Sequence, residues 1–206
     1  MPSATFYHLP QAKRDTLLQA ARDEFSAVPY DEASINRMIR VAGIPRGSFY
    51  MYFDGKEDLF RYLMEEGLRA FVQGLKDLLR RMDGDLFGTF RHLIDLALCQ
   101  QEGKNRQMEQ FGQILKLNAG LQQGPLLRSL NPCIFLEEIL PDIDRERLRL
   151  EREGDLEEML HILLSLSLPT LWHAAASQEP ECLKEHYLAR LDILSRGMAV
   201  QTAANI

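Results

Sequence analysis

Apolar residues recur at three- and four-residue intervals along most of the chain, and no stretch alternates apolar with polar as a half-buried strand does. The pattern predicts an all-α fold. A first helix is expected from about Pro10 to Ala27, where Arg14, Leu17, Leu18, Ala21 and Phe25 share a face. Within Ser34–Asp58, Ile35, Met38, Ile39 and Ala42 form a second stripe, with Ser34 placed to cap it and Gly43 to end it. Pro45 stands where a new helix begins. On that helix Pro45, Phe49, Tyr52 and Phe53 fall on one side, and Arg46, Gly47, Tyr50 and Met51 on the other. Asp54-Gly55 stops it. A long helix then runs from Lys56 to about Met82, with Leu59, Leu63, Ala70, Leu75 and Leu78 inside, and Asp83-Gly84 closes it. Further helices are expected over 86–101, 105–118, 125–140, 156–177 and 181–198, punctuated by glycine and proline. The charged run from Arg145 to Asp155 reads as a solvated helix or a linker, and Pro169 as a kink.

Two short helices joined by a glycine turn, the second with a polar and aromatic outer face, follow the plan of a helix-turn-helix reader. Periodicity alone favours an ordinary helical hairpin. The side chains are more specific. Ala20-Ala21 with Phe25, Ser34-Ile35 with Met38-Ile39, Ala42-Gly43-Ile44, Arg46 to Phe53 and Lys56 to Phe60 occur in an order and spacing that resemble the TetR family of bacterial transcription regulators. The resemblance covers the first quarter to third of the chain. Val28-Pro29 departs from it, since the family has a glycine before the aromatic that is Tyr30 here.

The resemblance implies an N-terminal helix-turn-helix DNA-binding domain, residues 1–56, with reader helices over about 34–53. A C-terminal helical ligand-sensing and dimerisation domain, 57–206, follows. It implies operator DNA and a small-molecule effector as partners, and a homodimer through the last two helices. In the family's pattern Arg46, Gly47, Ser48, Tyr50 and Met51 face the major groove. Asn36 adds a base contact and Arg37 a phosphate contact, and Ser34, Tyr52 and Lys56 hold phosphates. For Lys56 a plain solvated lysine is the alternative.

Charge tempers this picture. The chain of 206 residues has a net charge of −6, and residues 1–60 hold seven Lys and Arg against eight Asp and Glu. A general polyanion binder is excluded; recognition has to rest on a few placed cations, namely Arg37, Arg40, Arg46 and Lys56. The N-terminal fifteen residues contain no apolar secretory core, and Cys99, Cys133 and Cys182 form no CxxC pair, which together suggest reduced thiols in a cytoplasmic protein. The apolar window from Met159 to Ala176 is interrupted by His161, Ser165, Ser167, Pro169 and Thr170, so a buried bundle helix is expected rather than a membrane span.

No nucleophile motif, phosphate loop or dinucleotide fingerprint occurs, no enzyme is expected, and no cofactor is called for. Glu181, Cys182, Glu185 and His186 form the nearest approach to a metal cluster, and ordinary helix-surface contacts explain them. Phe87, Phe90, Met108, Phe111, Phe135 and Trp172 are either plain core or, in part, the lining of an apolar ligand pocket. Asp95, Glu102 and Glu109 could orient a cationic ligand. A helical ligand-binding or interaction protein that does not read DNA is the competing function.

Overall fold

The computed structural model describes residues 1–98, 106–118, 137–174 and 179–200, without the side chains of 172–174. The described residues fold into helices α1 (Ala4–Tyr7), α2 (Gln11–Ala27), α3 (Ile35–Ala42), α4 (Arg46–Tyr52), α5 (Lys56–Arg81), α6 (Leu86–Leu98), α7 (Arg106–Leu117), α8 (Asp155–Ala174) and α9 (Pro180–Met198). Their only extended pairing is an isolated bridge between Leu148 and Ala199. The expected helix over 125–140 lies mostly outside the described residues. Its end is a turn followed by a short 3₁₀ segment, Leu140–Asp142.

Two compact units divide the chain, one built from residues 1–70 with the described part of 105–131, the other from 71–104 with 132–206. The long helix α5 therefore contributes its first half to one and its second half to the other. In the first unit α2 lays Leu17, Leu18, Ala21 and Phe25 against Met38, Ile39, Phe49, Phe53 and Phe60, all buried. Phe25 and Phe49 are fully enclosed, as their spacing predicts. Phe60 meets Phe25 edge to face at 5.0 Å, a geometry that aromatic quadrupoles favour. Met108 and Phe111 of α7 join the same cluster. The Phe111 ring lies where a side chain on Gly67 would be, 2.2 Å from an ideal Cβ, so α5 and α7 approach closely only because residue 67 is glycine.

On α5 the buried stripe runs through Leu59, Leu63, Gly67, Val72, Leu75 and Leu78. Ala70, expected inside, is exposed because it falls off that stripe. The helix ends as predicted, through left-handed Asp83 and Gly84.

In the second unit α6, α8 and α9 pack pairwise. Phe90, Ile94, Leu160, Leu163 and Leu191 are fully buried there. One polar knot lies inside this core. The Tyr187 hydroxyl donates to the Phe90 carbonyl at 3.0 Å and lies 2.8 Å from the Ser167 hydroxyl, which itself bonds the Leu163 carbonyl. Every buried polar side-chain atom among the described residues has a partner, as burial at low dielectric requires. The charged run after Asp144 is a 3₁₀ turn, Arg145–Arg147, and a loop, not a helix. Arg149 and Val200 pair their amides with Met198 and Arg147 carbonyls there. Within the described residues no helix is long and apolar enough to cross a membrane.

Candidate nucleic-acid interface

The turn between α3 and α4 is set by Gly43, at φ 65° and ψ 30°. Its N–H reaches the Arg40 carbonyl, and the Ile44 N–H reaches that of Ile39 at 3.1 Å. This closes the paired hydrogen-bond motif that a left-handed residue makes at a helix end. Pro45, in extended conformation, occupies the cap position itself, one residue earlier than the expected first helical position. α4 then buries Phe49 and turns Arg46, Gly47, Tyr50 and Met51 to solvent. Tyr50 is 47% and Met51 59% exposed, large side chains left uncovered on a helix only seven residues long. Ser48 and Tyr52 are half-buried.

Arg46 is the centre of this face. Its guanidinium donates to the Asn36 side-chain oxygen at 2.9 Å, tying α4 to α3. It also lies 5.7 Å from the Tyr50 ring centroid and 3.4 Å from that hydroxyl. Asn36, Arg46 and Tyr50 thus form one exposed group of hydrogen-bonding side chains, stiffened in advance.

The remaining expected contacts behave differently. Ser34 precedes α3 but makes no side-chain cap; the Glu24 carboxylate of α2 takes the Ser34 N–H at 2.8 Å instead. Its negative charge is also favourable beside the N-terminus of α3. Glu24 also accepts from the Arg37 guanidinium at 2.7 and 3.0 Å, and Arg37 donates to the Glu32 carbonyl. Burial alone would raise the Glu24 carboxyl, but Arg37 and the Ser34 N–H more than offset it, so the group sits below its ordinary value. Arg37 is exposed yet already neutralised.

Lys56 turns inward. Its ammonium donates to the carbonyls of Tyr30, Ala33 and Asp31 at 2.7, 3.0 and 3.3 Å, using all three donors, and lies 4.5 Å from the Tyr30 ring centroid. It pins the 3₁₀ turn Tyr30–Glu32 that leads into α3. The residue expected to hold a phosphate thus directs its ammonium at three carbonyls in the free chain. Val28-Pro29, the departure noted in the sequence, opens the same turn, and Asn118 at the end of α7 accepts the Tyr30 N–H at 2.8 Å. Of the four cations singled out, Arg40 and Arg46 face solvent without a carboxylate partner. Arg40 was named only as part of the cluster; its place on the outer side of α3, three residues after Arg37, was the available signal.

Of the six aromatic and methionine residues expected for a ligand pocket, four lie among the described residues. Phe87 and Phe90 are core residues of the second unit, and Met108 and Phe111 pack in the first. Phe135 and the Trp172 side chain lie outside the described residues, as do Glu102, Cys99 and Cys133. A groove of about 620 Å³ in the first unit has a mixed lining that includes Asp15, Leu18, Arg22, Val41, Glu66 and Gln107. Asp95 is paired with Lys184 at 2.6 Å. Cys182 is exposed, 3.6 Å from a His186 ring nitrogen.

The model of the bacterial regulatory proteins, tetR family, matches residues 17–63, the stretch that holds α2, α3, α4 and the start of α5. Over that stretch the chain resembles the TetR family. Two curated relatives agree, both uncharacterized HTH-type transcriptional regulators of Bacillus subtilis (strain 168). YdgC is 38% identical over 53 residues, 26% of this chain and 27% of the relative. YvdT is 34% identical over 83 residues, 40% of this chain and 42% of the relative. The match thus spans less than half the length of either. Whole-chain likeness appears in solved structures. A TetR family transcriptional regulator from Chloroflexus aurantiacus J-10-fl is 24% identical, covers 98% of this chain and 100% of its own, and superposes with TM-score 0.52. Reduced NemR of Escherichia coli is 20% identical, with 94% and 100% coverage and TM-score 0.56. At that identity the likeness carries the all-helical TetR fold, with its N-terminal helix-turn-helix domain and helical C-terminal domain.

Proposed function

We propose that this TetR-family chain is a ligand-responsive regulator, acting as a repressor, that binds a roughly palindromic operator as a homodimer. The observation that carries this reading is the exposed, pre-ordered face of α4. Arg46 is the residue for a guanine edge, with Asn36, Gly47, Ser48, Tyr50 and Met51 around it. Arg40 and Tyr52 serve phosphates. Ser34, Arg37 and Lys56 act one step back, through the Glu24 and Tyr30 contacts that fix where α3 stands.

The second copy comes from α8 and α9. Ile162 is 41% and Ile193 61% exposed. Leu166, Leu168, Leu183, Leu188 and Leu194 are only half-covered, which leaves an apolar face for a partner subunit. Two reader helices in a symmetric dimer require half-sites about one helical turn apart, roughly 34–36 Å, or a small multiple of it. The effector site is to be sought beside Phe87 and Phe90 on α6 rather than at Met108 and Phe111, which belong to the core beneath the reader. The effector binds one dimer geometry more tightly, and α5 passes the difference on to the readers.

A mobility-shift titration of the full chain against the DNA upstream of its own gene, at several salt concentrations, tests the DNA-reading part. Saturable binding that survives excess random-sequence DNA is the expected result. Equal, weak and steeply salt-dependent binding to both would favour a helical ligand-binding or interaction protein, the reading that the near-neutral charge of residues 1–60 supports.

A further inference from the structure

We propose that Ser3 is a positioning residue for DNA reading, acting from α1 as a remote cap on the C-terminal end of the reader helix α4. The inference rests on the DNA-reading role of α4 given above. α4 ends without a glycine: Phe53, the residue after it, is extended at φ −133° and ψ 142°. The hydrogen bonds that Gly43 returns to α3 are therefore not available to α4, and its last carbonyls need donors from elsewhere. Two of them come from Ser3. Its N–H donates to the Tyr52 carbonyl at 2.9 Å, and its hydroxyl donates to the Met51 carbonyl at 2.5 Å.

Ser3 is itself held. It stands at the N-cap of α1, with the Phe6 N–H directed at its hydroxyl. Phe6 is fully buried, its ring 4.9 Å from that of Phe53 and 5.4 Å from that of Tyr62. A four-residue helix has no stability of its own; what keeps α1 in place is this aromatic anchor, and what α1 presents to α4 is Ser3. The seven residues of α4 are equally too few to hold a helix alone. Tyr50 and Met51, the exposed side chains of its last turn, sit on the backbone that Ser3 ties down. Losing the cap frays the turn that carries them while leaving the core around Phe49 and Phe25 packed.

The test uses the full chain, its Ser3→Ala and Ser3→Thr variants, and a duplex selected by the wild-type chain from a random-sequence library. Amide hydrogen exchange of the free proteins is followed beside anisotropy titrations with the selected duplex and with unselected DNA. In Ser3→Ala, exchange should speed up at the amides of α4 and not at those of α2. Affinity for the selected duplex should fall about three- to tenfold, the worth of one hydrogen bond, with no change for unselected DNA. Ser3→Thr, which keeps a hydroxyl, should restore both. Unchanged α4 exchange in Ser3→Ala overturns the cap. Faster exchange with unchanged affinity, or with equal losses on both DNAs, overturns the positioning role while leaving the reader intact. Failure of the wild-type chain to select any duplex sinks the DNA-reading function itself, and the positioning role with it, whatever the exchange shows.

Discussion

Glu24 shows how much a single side chain of α2 controls in α3. One carboxylate takes the first amide of the helix and a guanidinium on its first turn. Its carboxyl is held below the ordinary value of 4.5, so the stabilisation it gives is fully present above that value and is lost as pH falls through the lower, folded one. A Glu24→Gln variant should lower stability by about 1–3 kcal/mol at neutral pH. It should also flatten the acid limb of a stability-against-pH curve; an unaltered acid limb would contradict the assignment. None of this was legible in the sequence. Ser34 has the right chemistry and position for a cap, and only the fold brings Glu24, ten residues earlier, onto the Ser34 N–H. The inward bonds of Lys56 escape the sequence for the same reason: its three acceptors lie 23 to 26 residues away. What periodicity does determine, the inward Phe25 and Phe49 and the outward Arg46, Tyr50 and Met51, is found as expected. Gly67 offers a sharper check at this scale. Gly67→Ala meets the Phe111 ring and should cost about 1–3 kcal/mol. Gly74→Ala on the same helix, with nothing within 4 Å, should be neutral or stabilising by up to about 1 kcal/mol. Equal effects of the two would show that Phe111 does not rest there.

Among the elements, the long helices announce themselves because fifteen or more residues of stripe outweigh local noise, and their observed ends fall within a few residues of the expected ones. α1 does not, since four residues are too few to show a period, yet it supplies a donor pair to the reader. The 3₁₀ turn before α3 also escapes periodicity, and Lys56 and Asn118 hold it from two different helices. In the second unit the knot at Tyr187 joins α6, α8 and α9. Burial pushes this phenol up to about 12, with the Ser167 hydrogen bond and the Arg91 charge offsetting part of the rise. Because the folded value lies above the ordinary 10, the contribution is whole below that pH and is lost as pH rises through the folded value. Tyr187→Phe should therefore cost about 1–2 kcal/mol at neutral pH. The loss should shrink as the alkaline limb is climbed, checked by urea denaturation at several pH values.

At the scale of the molecule, the charge balance of residues 1–60 is the feature that most constrains function. Of the four cations singled out, only Arg40 and Arg46 turn outward free of a carboxylate, so in the proposed dimer binding has to come from a few placed groups used twice. In the proposed function dimerisation is thus part of recognition. Ile193→Glu, on the exposed face of α9, should shift the chain toward monomer in sedimentation equilibrium and weaken operator binding together. Loss of the dimer with operator binding intact would separate the two. The proposed effector has to obey reciprocity: a coupling of about 1–3 kcal/mol means that operator weakens effector binding by the same factor as effector weakens operator binding. The resemblance to the TetR family is readable from residues 17–63, whereas an effector is not, since a pocket is defined by side chains scattered over several helices.

The central claim is that α4 reads base edges through Arg46, and operator binding by Arg46→Ala tests it most directly. The expected result is a loss of about 1–3 kcal/mol with relaxed preference at one base pair of each half-site. Unchanged affinity and unchanged preference would contradict it.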